Sequence, residues 1–248
     1  MGILKNLFST GKRAEPLELG LIGTDMHSHL VPGIDDGAEN LEASIELIKG
    51  MKALGYKKLI TTPHIQGEFY TNTPETILPG LERVKRELEK QAIDIEMQAA
   101  AEYLIDDKFE EKYKSRPLLT FGKKHLLVEM SYFNEHPNLK QYLFDLQIEG
   151  YKIILAHPER YSYWFRNFRK YQEMKDRGIL FQININSLAG YYSGEVKNMA
   201  EKLIDEEMVD LAGSDMHNMH YLEALQNARY EKYLKKLVDS GRLINGQL

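Results

Sequence analysis

The sequence predicts one α/β domain whose largely parallel sheet curls into a barrel or distorted barrel. Three observations predict it. Seven short apolar, strand-like segments alternate with longer helical patterns. No composition break and no repeat of fixed period divides the 248 residues, a length that suits one large core better than two enzymes in tandem. Six of the segments end in histidine, aspartate or glutamate, which favours a barrel over an open sheet, because barrel strands open their carboxyl ends onto one face.

The chain starts "MGILKNLFSTGKRAE", without the apolar stretch and small-residue cleavage site of a secretion signal. Residues 1–20 are expected to form a flexible tail ahead of a domain spanning 21–248. "LIGTDM" is the first strand. A helix follows through Leu41, Ile45, Ile48, Met51 and Leu54, with Asn40 placed to cap it and Gly55 to close it. "KKLITT" precedes a charged helix around "LERVKRELEK", whose apolar stripe is Leu81, Val84 and Leu88. After "IDIEMQAAA" comes an irregular stretch containing Arg116-Pro117, then "HLLVEM". A helix through Leu139, Leu143 and Leu146 leads to "YKIILA", and "FRKYQEMKDRG" leads to "ILFQINI". A helix near Met199 to Ile204 precedes "VDLAGS", and "YEKYLKKLVDSG" is the last helix.

Composition narrows the chemistry. With no cysteine there is no disulfide, no thiolate metal site and no cysteine nucleophile. The formal charge of −5 argues against a nucleic-acid coat, though not against a local basic pocket. No apolar run reaches the roughly 20 residues of a membrane span, so a cytoplasmic protein is expected. The strand ends supply the reactive groups: His27 and His29 after "LIGTDM", His64 after "KKLITTP", Glu102, Glu129, His157, and Asp215 with His217. Residues two apart on extended chain share a side, which pairs His27 with His29 and Asp215 with His217. Singly, each has an ordinary structural explanation, such as a hydrogen-bonded core histidine or a helix-capping aspartate. Together, several carboxylates at one mouth would repel one another, and divalent cations remove that penalty. His125, His136 and His220 fall outside the pattern and read as structural or surface residues.

The ordered set "DMHSHLVPGIDDGA", "TTPH", "AAEY", "LLVEM", "ILAHPERY" and "GSDMHN" resembles the PHP superfamily, named for polymerase and histidinol phosphatase domains. Within it, "PGIDDGA" and "HPERY" resemble the bacterial manganese-dependent protein-tyrosine phosphatases of capsule and exopolysaccharide operons. The resemblance covers roughly residues 24–220. It implies a distorted (β/α)7, TIM-like barrel of the PHP type with a three-metal site at the carboxyl ends of the strands. One ion would take His27, His29, Glu102 and Asp215, and a second Glu102, Glu129 and His157. The third would take His64 and His217 with Asp36, favoured by spacing, or Asp35. It also implies a metal-dependent phosphoric monoester hydrolase acting on phosphotyrosine. Its expected partner is a bacterial tyrosine autokinase with a tyrosine-rich tail that controls capsular or exopolysaccharide synthesis.

The sulfur-free ligand set suits manganese, iron, zinc or magnesium, and affinity order alone does not choose among them; the resemblance implies manganese. Three divalent ions against four carboxylates leave a site near +2 that would attract a phosphate dianion. Metal coordination lowers the pKa of water from about 15.7 to near 7, so hydroxide attacking phosphorus in line is available at neutral pH. Arg160, beside Pro158 in "HPER", is the candidate catalytic clamp on phosphoryl oxygens. A phenol with pKa near 10 leaves without a dedicated acid more easily than an alkoxide. In "RYSYWFRNFRKY", Tyr161, Tyr163, Trp164 and Phe165 either wall a pocket for the substrate ring or, for most of them, pack as core. Arg166 and Arg169 are candidates to meet an acidic peptide, and Asn184, Asn186 and Ser187 to line the mouth. Two other readings stay open: a small-molecule phosphoesterase resembling histidinol-phosphate phosphatase, and a non-catalytic module that binds and regulates a kinase. A proofreading nuclease ranks low, since the chain has neither a polymerase region nor a basic stripe.

Overall fold

The structure is a computed structural model that describes residues 15–115 and 117–248. Among them, nine short strands alternate with helices: β1 (Thr24–Asp25), β2 (Lys58–Thr61), β3 (His64–Ile65), β4 (Glu96–Ala99), β5 (Glu102–Leu104), β6 (His125–Glu129), β7 (Lys152–Ala156), β8 (Leu180–Asn184) and β9 (Leu211–Gly213). Every pairing is parallel, in two sheets ordered β1-β2-β4 and β3-β5-β6-β7-β8-β9. The pairs β2/β3 and β4/β5 are each one bent segment. Ala100 N–H donates to Thr61 O and Glu102 N–H to Pro63 O across the bends, so the same two neighbours stay paired as the chain passes between sheets. The nine strands thereby reduce to the seven segments legible in the sequence. The named ladders do not close into a ring. Beyond them, an isolated parallel bridge joins Ser28 to Met216, and Asp215 N–H donates to His27 O.

Strand side chains sort with period two. Leu59, Leu126, Val128, Ile153, Leu155, Phe181, Ile183 and Ala212 join the large core shared with the helices. Met26, Ile60, Ala100, Leu127, Ile154, Ala156 and Leu211 form a second, internal cluster enclosed by the strands. Continuing that internal register toward the carboxyl ends leads from Ile60 to His64, from Ala100 to Glu102 and from Leu127 to Glu129. The polar site therefore sits directly on top of the internal apolar plug.

The helices are α1 (Leu41–Ala53), α2 (Pro74–Lys90), α3 (Phe109–Ser115), α4 (Leu139–Ile148), α5 (Arg169–Asp176), α6 (Ile185–Leu188), α7 (Gly194–Asp205), α8 (Met219–Ala228) and α9 (Lys232–Asp239). Asn40 accepts from Ala43 N–H at the start of α1, and Gly55 just after it sits at φ 104°, as the sequence leads one to expect. Helix α3 was read as irregular. It is seven residues of mostly charged sequence anchored only by Phe109 and Tyr113, too short to show a period.

The start of the packed body differs from the sequence reading. Leu17 N–H donates to Arg229 O, Leu19 N–H donates to Leu54 O, and Leu19 is fully buried, so the packed body takes in residues placed in the tail. Residues 1–14 of that tail, and Arg116, lie outside the described residues. At the far end, Asn245 is buried between the first and last strands. Its side chain accepts from Ala212 N–H and donates to Thr24 O and Ala212 O. No described helix is long and apolar enough to cross a membrane.

Candidate metal centre

Glu102 stands at the middle of the site. It is fully buried, with Oε1 3.1 Å from His157 Nε2 and Oε2 3.2 Å from His27 Nε2, 3.5 Å from His29 Nε2 and 3.1 Å from His64 Nδ1. Asp215 Oδ1 closes the first group, 3.3 Å from His27 Nε2 and 3.4 Å from His29 Nε2. Glu129 lies 3.2 Å from His64 Nδ1 and 4.0 Å from His157 Nε2. Asp36 Oδ1 is 3.5 Å from His64 Nε2 and 3.6 Å from His217 Nε2. The structure thus gathers all nine residues singled out as ligands, which among the described residues form four overlapping groups of the size that holds a cation.

The adjacent aspartates divide the work. Asp36 faces His64 and His217 at a half-exposed rim. Asp35 turns inward, accepting from Gly37 N–H and His64 N–H and holding His29 Nδ1 at 2.8 Å. Similar partners fix two more rings: Gln182 Oε1 lies 2.8 Å from His27 Nδ1, and Asp215 O lies 2.7 Å from His217 Nδ1. Each such acceptor holds the proton on Nδ1 and leaves Nε2 free toward the cluster, as metal-bound imidazoles require. Gln182 went unnoticed in the sequence; the available signal was a glutamine two residues before Asn184 in an otherwise apolar strand.

Two ligands leave regular geometry to reach the site. Ile153 and Leu155 face the helices, so an unbroken β7 would carry His157 outward; its left-handed φ of 34° redirects it. Asp215 is left-handed as well, at φ 52°. Each such residue costs about 1–3 kcal/mol and persists where the surroundings over-determine it. Close packing fixes His29 from behind, since a Cβ on Gly37 would lie 2.2 Å from His29 O.

The electrostatics call for positive charge. Burial penalises ionised Glu102 and Asp215, yet the surrounding imidazoles hold both well below the usual carboxylate range. Burial and His29 oppose charge on His64, but Glu102 and Glu129 push it up to about 10. Asp36, opposed by its partial burial, is drawn down to about 2, chiefly by His217. Glu102 Oε2 and His64 Nδ1 are buried and close, yet neither makes a well-formed hydrogen bond. A shared cation would satisfy both, so the residues fit divalent metal binding.

Arg160 borders the cluster, with Nη1 3.2 Å from Asp215 Oδ2. Asn184 Nδ2 donates to that same oxygen at 2.7 Å. Asn186 and Ser187 instead turn into the protein, to Tyr221 O and Glu159 Oε1. Tyr161, expected to contact substrate, is fully buried; its hydroxyl donates to Ala156 O and accepts from Met130 N–H, so the ring is core and has no face left for a ligand. Trp164 is buried too, donating to Glu135, while Tyr163 donates to Ser131 O and Phe165 packs on the main core. Arg166 and Arg169 are exposed, away from the contacts that build the cluster. Rings that reach the mouth include Tyr70 against His64, Tyr132 against His157, Tyr221 against His217, and Tyr192, whose hydroxyl donates to Asp215 Oδ2. Of the other histidines, His125 caps the opposite end of β6, His136 meets Asp107, and His220 is exposed.

A family model described as capsular polysaccharide synthesis, CpsB/CapC, matches residues 23–240. The tyrosine-protein phosphatase YwqE of Bacillus subtilis (strain 168) is 29% identical over 207 residues, covering 81% of this chain and 82% of that protein. The tyrosine-protein phosphatase CpsB of Streptococcus pneumoniae is 26% identical over 219 residues, covering 86% and 90%. A solved chain from work on YwqE and CpsB, described as unique metal-dependent tyrosine phosphatases, superposes with a TM-score of 0.78 at 28% identity over 86% of each chain. A histidinol phosphate phosphatase from Lactococcus lactis shares the fold, with a TM-score of 0.50 at 14% identity over 89% of this chain and 93% of that one.

Proposed function

From the premise that this chain belongs to the CpsB/CapC family of capsular polysaccharide synthesis, and is a metal-dependent tyrosine-protein phosphatase, we propose how its residues do that work. One observation carries the reading: His27 and His29, each with Nδ1 engaged, present Nε2 to the buried carboxylates of Glu102 and Asp215, and Glu102 Oε2 makes no well-formed hydrogen bond. His27, His29, Glu102 and Asp215 hold one divalent ion, Glu102, Glu129 and His157 a second, and Asp36, His64 and His217 a third. Manganese is the proposed metal, with iron, zinc and magnesium the alternatives that the oxygen and nitrogen donors also suit. Bound there, the ions supply Lewis acidity toward phosphoryl oxygens and bring the pKa of water near 7.

The protein groups bind and orient. Arg160 offers two parallel N–H donors to the phosphoryl oxygens, in the planar geometry that suits a dianion. Asp215, itself held by Asn184, engages Arg160 Nη1. The phenolate leaves without a dedicated acid, because its conjugate acid has a pKa of only about 10. The proposed physiological substrate is a phosphotyrosine protein, in particular a bacterial tyrosine autokinase with a tyrosine-rich tail.

Parallel turnover assays on a phosphotyrosine peptide, a phosphoserine peptide and histidinol phosphate, with chelation and manganese add-back, test this. The expected result is preferential hydrolysis of phosphotyrosine that chelation abolishes and manganese restores. Preference for histidinol phosphate would overturn the substrate, and turnover indifferent to chelation would overturn the metal chemistry.

A further inference from the structure

Arg160 lies against two rings that the phosphatase reading does not by itself explain. Its guanidinium carbon is 4.6 Å from the Tyr132 ring centroid and 4.2 Å from that of Tyr192. The rings arrive on separate connections, Tyr132 between β6 and α4 and Tyr192 between α6 and α7. The Arg160 side chain is only 19% exposed, and its ion pair is with Asp215 Oδ2, an oxygen already served by Asn184 Nδ2 at 2.7 Å and Tyr192 hydroxyl at 3.4 Å. That oxygen needs no third donor. Ring faces attract a guanidinium without consuming its N–H groups. They therefore set its plane and leave its donors for an incoming oxyanion.

We infer that Tyr132 and Tyr192 are the positioning residues of the Arg160 clamp, an aromatic pair that holds the guanidinium in one plane at the mouth for the phosphoryl group of a phosphomonoester. This rests on the reading of Arg160 as the phosphate clamp. Tyr132 also stacks on His157, with centroids 5.8 Å apart, so the test has to separate the clamp from the metal.

The experiment compares Tyr132→Phe, Tyr132→Leu, Tyr192→Phe and Tyr192→Leu, each alone and combined with Arg160→Ala, in the metal-loaded full chain. It reads kcat and KM on p-nitrophenyl phosphate, affinity for inorganic phosphate by calorimetry, and bound metal by elemental analysis. The leucine variants are expected to lose about 2- to 30-fold in kcat/KM and in phosphate affinity, the span of one cation–π contact. Tyr132→Phe, which keeps the ring, stays within about twofold on the same reasoning. With Arg160→Ala already present the leucine changes cost nothing further, and metal content stays at the wild-type value throughout. Equal losses with and without Arg160, or loss of metal along with the ring, overturn the inference. Arg160→Ala with full turnover overturns the clamp itself, whereas a damaged Arg160→Ala beside unaffected ring variants overturns only the positioning. Should Tyr132→Leu fail to fold, Tyr192→Leu judged against Tyr192→Phe runs the same cycle on the other ring.

Discussion

Replacing Glu102 by glutamine keeps the volume and one oxygen but deletes the charge at the centre of the cluster. Four imidazole nitrogens lie 3.1–3.5 Å from its two oxygens, and the residue is fully buried. A cation within reach of this carboxylate would be attracted by several kcal/mol at an effective dielectric near 20, offset by desolvation. Removing one member of a buried charged set typically costs about 3–5 kcal/mol. At 1.4 kcal/mol per tenfold, that weakens metal binding by about 10²–10⁴. Glu102 belongs to two of the four ligand groups, so more than one ion is affected. The assay is p-nitrophenyl phosphate turnover against free manganese, with elemental analysis after dialysis and circular dichroism to verify folding. The variant should hold fewer ions and need far more metal to turn over. A folded Glu102→Gln enzyme with the wild-type metal requirement would refute the central place given to this carboxylate.

Three further outcomes follow from particular contacts. Asp36→Asn should lower bound metal at unchanged thermal stability, while Asp35→Asn, which loses charge beside His29, should also lower the melting temperature; the reverse pattern would exchange the roles of the two aspartates. Asn245→Ala breaks three buried hydrogen bonds to β1 and β9, which should cost about 2–4 kcal/mol and lower the melting temperature by about 5–15 °C, leaving turnover at 25 °C intact. Gly37→Ala places a carbon 2.2 Å from His29 O, so His29 must shift; calorimetry should show weakened metal binding, and unchanged binding would mean that the loop gives way freely.

Much of the site was legible because it sits where strand periodicity ends. His64, Glu102 and Glu129 simply continue the inward register of Ile60, Ala100 and Leu127, and a run of apolar residues broken by a histidine or acid reports that directly. What orients the ligands was not legible. Gln182 reads as an ordinary polar residue until the fold places it 2.8 Å from His27 Nδ1, 155 residues away. Asp35 and Asp36 are neighbours with opposite directions; spacing favoured Asp36 as the ligand, but nothing in the sequence showed that Asp35 turns inward to His29 Nδ1. Tyr161 and Trp164 follow the arginine so closely that they suggested a pocket, yet the 3-10 turns at Pro158–Arg160 and Ser162–Trp164 roll them into the core. The rings that do reach Arg160, Tyr132 and Tyr192, lie 28 residues before it and 32 after it, on loops without any repeating pattern. Asn245 went unread for a similar reason: it follows the last helix in an irregular stretch, and only the closing of first strand against last gives it partners.

Anomalous diffraction at the manganese edge, from crystals of the purified full chain supplied with manganese, tests the convergence of these ligands most directly. Peaks are expected among His27, His29 and Asp215, among Glu102, Glu129 and His157, and among Asp36, His64 and His217. Crystals of active protein without anomalous density inside that ring of residues would contradict the metal centre and every role assigned around it.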